Sequence, residues 1–167
     1  MNKKYFFFDI DGTLTDRATG KIVPSAAEAL NKLRDAGHFV AINTGRAHYK
    51  ARKFFDENGF DNMVSNGGKA IVVNRVLVEN SPLVFENALR LYNEAVGKGY
   101  GVLVADEDSE LVRTRDFTFY EQAGIRKEPT RYVIDDRYAP EDKGIIYKMY
   151  ISIPQMSEAA LLEILPI

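Results

Sequence analysis

A chain of 167 residues is long enough for one domain, or one domain with a sizeable insertion, and its 46% hydrophobic content suffices for a core. With 22 basic against 24 acidic residues, no charge excess points to nucleic acid or an anionic membrane surface. The absence of cysteine excludes disulfides and thiolate metal sites and suits a reducing compartment.

Lys3-Lys4 followed by Tyr5 to Phe8 imitates the start of a signal peptide, but the apolar run meets Asp9 too early for one. No stretch approaches about 18 apolar residues, so a soluble cytoplasmic protein is expected, with no membrane partner. The run Tyr5 to Phe8 predicts a strand buried on both faces. It delivers Asp9 and Asp11 to a glycine turn at Gly12. Positions i and i+2 of a strand share a face, so the two carboxylates converge at the strand's carboxyl end, where open α/β sheets place their sites. Ending a buried strand on two acids costs desolvation unless a cation or substrate uses them. The arrangement is suited to phosphoryl transfer, a chemistry in which a carboxylate attacks phosphorus only when the phosphate's charge is neutralised, as by a hard, oxygen-preferring cation.

Pro24 and Ser25 lead into Ala26, Ala29, Leu30 and Leu33 at helical spacing, and Gly37 stands where a terminating glycine would. His38 to Asn43 predicts a second strand, so a βαβ crossover and a parallel sheet follow. Thr44-Gly45-Arg46 comes next, and a helix from Ala47 to Asn58 closes at Gly59. Arg46 has two readings here: a surface residue at a helix start, or a charged donor to a substrate phosphate, for which guanidinium is well shaped. A short strand over 62–65 precedes Asn66-Gly67-Gly68, and 69–74 with 76–79 predicts a hairpin about Asn74-Arg75.

Ser81-Pro82 predicts the start of a further helix, ending at Gly97 to Gly99. Tyr100 to Val104 predicts a strand, Asp106 to Ser109 a solvated acidic turn, and Leu111 to Thr114 a return strand. A short helix is expected over 116–123, and the polar stretch 126–143 carries mixed signals. Ile145 to Ile153 predicts a strand, and Ser157 caps a final apolar helix.

Asp9-Ile10-Asp11-Gly12-Thr13-Leu14 resembles motif I of the haloacid dehalogenase superfamily of phosphohydrolases. The resemblance implies Asp9 as the nucleophile that forms an aspartyl-phosphate, and Asp11 as the general acid/base. It implies Mg²⁺ as cofactor, held by Asp9 and the main-chain carbonyl of Asp11. Thr44 resembles motif II, whose hydroxyl and following N–H hold a phosphoryl oxygen. Gly12, Thr13, Thr44, Gly45 and Arg46 are thereby implied in phosphate binding. Asn66-Gly67 resembles the loop after the third strand of the Cof-like branch, where it faces the substrate.

The implied fold class is α/β: a HAD-like Rossmannoid parallel-sheet core over 1–80, its N-terminal part, with the first part of an inserted α/β cap over 81–167. The superfamily's later lysine and its Gly-Asp-containing acidic segment have no counterpart in the chain, whose lysines Lys69, Lys143 and Lys148 fall in hairpin or cap positions. A partial chain of a longer protein is therefore expected, a split protein completed by a partner being the other possibility. The function implied is a Mg²⁺-dependent phosphomonoester hydrolase acting on a small phosphorylated metabolite. Two alternatives share these residues: a phosphomutase, which returns the phosphate to substrate, and a non-catalytic binding or regulatory module if the chain ends at Ile167.

Overall fold

The computed structural model describes residues 2–125 and 130–153. The chain divides into two compact units, Met1–Ser81 and Pro82–Ile167. In the first, β1 (Tyr5–Phe8) and β2 (Phe39–Asn43) are joined through α1 (Pro24–Asp35), and α2 (His48–Glu57) leads to β3 (Met63–Ser65). The hairpin β4 (Ala70–Val73) and β5 (Val76–Asn80) completes a five-stranded sheet in the order β1-β2-β3-β4-β5. The first three strands are parallel and the hairpin is antiparallel, so the sheet is mixed.

Local sequence accounts for these elements. Pro24 occupies the first turn of α1, where its missing N–H costs nothing, and Lys32 and Arg34 sit in the last turn, where positive charge suits the exposed carbonyls. Gly37 then takes a left-handed φ of 76°. Helix α2 turns His48, Ala51, Phe54 and Phe55 inward, and the core gathers these aromatics with Ile10, Leu14, Leu30, Val40, Ile42, Phe60 and Met63. The hairpin turns through Asn74 and Arg75, both at positive φ. Tertiary bonds hold this turn: Asn74 N–H donates to Asn62 Oδ1 at 3.0 Å, and Arg75 donates to the Phe60 carbonyl and to Asp56.

Strand β1 departs from expectation. Among the described residues it pairs only with β2, so it lies at a sheet edge, and Tyr5 and Phe7 are 64% and 53% exposed. Its outer face is covered only in part, by ring contacts of Tyr5 and Phe7 with Phe39 at 5.3 and 5.9 Å.

The second unit holds α3 (Phe85–Gly97), β6 (Val102–Ala105), β7 (Leu111–Thr114), α4 (Thr118–Ala123), β8 (Arg131–Ile134), α5 (Pro140–Lys143) and β9 (Lys148–Ile151). Its four strands run in the order β8-β7-β6-β9. One cluster joins Ala88, Tyr92 and Ala95 of α3 to Val102 and Val104, and another joins Phe119 of α4 to Leu103, Ala105 and Val112.

Two expectations are corrected here, and one open stretch is assigned. Helix α3 starts at Phe85, not at Ser81-Pro82: the Ser81 hydroxyl donates to Glu79 at 2.7 Å, and Leu83 N–H donates to the Ile146 carbonyl at 2.8 Å. Asp106 is buried rather than solvated, because Arg113 reaches both of its carboxylate oxygens, at 2.8 and 3.1 Å. The polar stretch 126–143 contains β8, which adds in parallel to β7, and α5. The helix expected from Ser157 lies outside the described residues.

Candidate active site

The register of the three parallel strands assembles the site. Phe8 pairs with Ile42 and Ile42 with Met63, so the segments beginning at Asp9, Thr44 and Asn66 leave the same end of the sheet. Within the first of these, Ile10 and Leu14 are buried in the core while Asp9, Asp11, Gly12 and Thr13 face outward. Leu14 and Thr15 N–H groups return to the Ile10 carbonyl at 3.2 and 3.1 Å, and the Thr15 hydroxyl joins them at 2.9 Å. Two apolar anchors thus hold a short loop whose polar residues have nowhere to go but outward. Gly12 has φ +81°, a conformation that L side chains rarely adopt.

Arg46 connects all three segments. Its N–H donates to the Thr44 hydroxyl at 3.2 Å, and its carbonyl accepts the Asn66 N–H at 2.7 Å. Its guanidinium grips Asp11 in a bidentate pair, Nε to Oδ2 at 2.8 Å and Nη2 to Oδ1 at 2.5 Å. Neither reading of Arg46 made from sequence foresaw this contact across 35 positions. The hydrogen bonds from Arg46, opposed by partial desolvation and aided by the charges of Arg46 and Lys50, hold the Asp11 carboxyl below its ordinary value of 3.8. Asp16 closes the turn that follows: its Oδ1 accepts from the N–H groups of Ala18 and Thr19 and from the Thr19 hydroxyl. These bonds lower its pKa as well.

The sequence-predicted residues therefore fall on one end of one sheet. Thr44 is buried, Arg46 and Asn66 are half-buried, and Asp9, Asp11, Gly12, Thr13, Gly45 and Gly67 are exposed. Asn66 and Gly67 form a tight turn with φ of 52° and 64°. Two cationic side chains escaped the sequence analysis. Lys50, in the first turn of α2, acts electrostatically on Asp11, and the Arg17 guanidinium lies over Gly12, about 3.3 Å from where a Cβ would sit. Spacing hints at Lys50, four residues beyond Arg46; no local signal marks Arg17.

Among the described residues no group of three or more His, Cys, Asp or Glu side chains is placed to hold a metal. Mg²⁺ asks less of a protein, binding through one or two carboxylates and completing its shell with water and phosphate oxygens. The hard oxygen donors at Asp9 and Asp11 fit that requirement.

Residues 6–162 match the model of the haloacid dehalogenase-like hydrolases, and the chain belongs to that family. It is 32% identical over 147 residues to YkrA of Bacillus subtilis (strain 168), a protein whose name assigns it provisionally to the phosphatases; the match covers 87% of this chain and 56% of YkrA. The fold is shared with BT1666 of Bacteroides thetaiotaomicron, a phosphatase of the same superfamily, at TM-score 0.75 and 23% identity over 99% of this chain and 61% of that one. It is shared also with the subclass IIB sugar phosphatase BT4131, at TM-score 0.69 and 22% identity over 97% and 63%. The chain thus spans a little over half the length of the proteins it resembles. No helix among the described residues is long and apolar enough to cross a membrane.

Proposed function

We propose that the chain carries the nucleophile and acid/base half of a phosphomonoester hydrolase that acts on a small phosphorylated metabolite, a sugar phosphate or a nucleotide. What supports this reading is that the segments carrying Asp9 and Asp11, and Thr44 and Arg46, leave one end of the parallel strands, with Arg46 bonded to both Asp11 and Thr44. The phosphoryl group is received between the Gly12-Thr13 and Thr44-Gly45-Arg46 segments, where the Thr44 hydroxyl and the Arg46 guanidinium offer hydrogen bonds to its oxygens. The Asp9 carboxylate attacks phosphorus and forms an aspartyl-phosphate as the leaving oxygen departs. Asp11 gives that oxygen a proton and then takes one from the water that hydrolyses the intermediate. The Asp9 carboxylate and the Asp11 main-chain carbonyl would hold Mg²⁺, which when bound offsets the phosphate's charge. The sugar phosphatase among the structural neighbours is consistent with a small, polar leaving group.

The test uses the full-length protein and Asp9→Asn. The substitution should abolish covalent phosphorylation, followed by mass spectrometry of the trapped enzyme, and reduce turnover to background while the circular dichroism spectrum stays unchanged. Near-parental turnover in this variant would overturn the assignment.

A further inference from the structure

We infer that Arg46 is a shared clamp: the guanidinium that pairs with Asp11 transfers to the substrate's phosphoryl group on binding, which releases Asp11 for its work on the leaving oxygen. This rests on the function proposed above and adds the order of events at that site.

The geometry supplies the reasons. One edge of the guanidinium, Nε and Nη2, engages both oxygens of the Asp11 carboxylate. That edge is the fork which fits a carboxylate and a phosphate equally well. Asp11 cannot turn an oxygen toward a leaving group while both are committed to a planar bidentate pair. Arg46 itself is held in place by its main chain, through Thr44 on one side and Asn66 on the other. The exchange therefore involves the side chain alone. The pair is accessible, with side-chain exposures of 28% for Arg46 and 60% for Asp11, so an incoming anion reaches it without opening the core. An ion pair this exposed is weak, worth a factor of a few in an equilibrium constant, which a doubly charged phosphate can outcompete. A buried pair of the same geometry would be a permanent structural bond instead.

The experiment is an NMR titration of the full-length protein with inorganic phosphate in the presence of Mg²⁺. The Arg46 Nε–H resonance is assigned by its loss in Arg46→Lys, and the Asp11 side-chain carboxyl carbon by its loss in Asp11→Asn. Both signals should move together, with the midpoint of phosphate binding measured independently by calorimetry. Asp11→Asn should shift the Arg46 signal before any phosphate is added and tighten phosphate binding by about two- to fivefold, the scale of an exposed ion pair. Saturable phosphate binding with both signals unmoved would show a permanent pair and overturn the clamp while leaving the proposed function standing. Failure of phosphate to bind at all would overturn both.

Discussion

Gly101 is the position where one methyl group should do most damage. A Cβ built there lies 2.1 Å from the Phe119 nitrogen and 2.2 Å from its Cα, more than an ångström inside ordinary contact. The obstructing atoms are main chain of α4, so no rotamer change relieves the overlap, and the helix must move. Three hydrogen bonds hold it in place: Gly101 N–H to Gln122 at 3.0 Å, Gln122 to the Gly99 carbonyl at 2.8 Å, and the Ser152 hydroxyl to Gln122 at 2.5 Å. Each is worth about 1 kcal/mol. Displacing α4 also loosens Phe119, which is 4% exposed and packs on Leu103, Ala105 and Val112. Overpacking of this kind costs about 1–3 kcal/mol before any such losses. Gly101→Ala should therefore destabilise the second unit by about 3 kcal/mol or more. Urea unfolding followed by circular dichroism measures the loss, and hydrogen exchange at 102–105 locates it. Gly97→Ala is the control, since nothing lies within 4 Å of its added Cβ and the residue is helical; it should be neutral or slightly stabilising. A change below about 0.5 kcal/mol in Gly101→Ala, with β6 amides protected as in the parent, would refute the close approach of α4.

Asp11→Asn in the full-length protein should lower turnover by roughly 10²- to 10⁴-fold, the range of general acid/base catalysis, as measured by steady-state phosphate release. Because Arg46 lowers the Asp11 pKa, the pair's small contribution to stability is present above the ordinary carboxylate range and lost as pH falls through the lowered value; Asp11→Asn should flatten that part of the acid unfolding curve. Arg113→Met leaves the buried Asp106 carboxylate without its partner and should cost about 3–5 kcal/mol in urea unfolding, whereas an unchanged midpoint would mean that water reaches Asp106. Burial, reinforced by the charge of Asp106, pushes the Tyr138 phenol well above its ordinary value of 10.0. The unfolded chain then loses this proton first, so stability should fall as pH rises above about 10, and less steeply in Tyr138→Phe.

What the sequence by itself determined is the chain of local events in the first unit. The apolar run before Asp9, the helical spacing from Ala26 to Leu33 and the strand ending at Asn43 are short-range patterns, and a βαβ order follows from them. The placing of Asp9 and Asp11 at the carboxyl end of the first strand was legible in the same local pattern, whereas the structure shows why they face outward: Ile10 and Leu14, between and beyond them, enter the core. Tertiary structure decided where side chains found partners far along the chain. Arg46 meets Asp11 across 35 positions, and no local pattern announces it. Asp106 belongs to a turn by composition, yet Arg113 faces it across a hairpin and makes its burial tolerable. Ser81 and Pro82 have the chemistry of a helix start, but Glu79 takes the hydroxyl and Ile146 the following main chain, which leaves the helix to begin at Phe85. Strand β8 is four residues in a polar stretch, too short for a period of its own; its parallel pairing with β7 makes it a strand. Local periodicity reports which residues seek the core, whereas ion pairs, edge strands and close helix approaches depend on which segments the fold brings together.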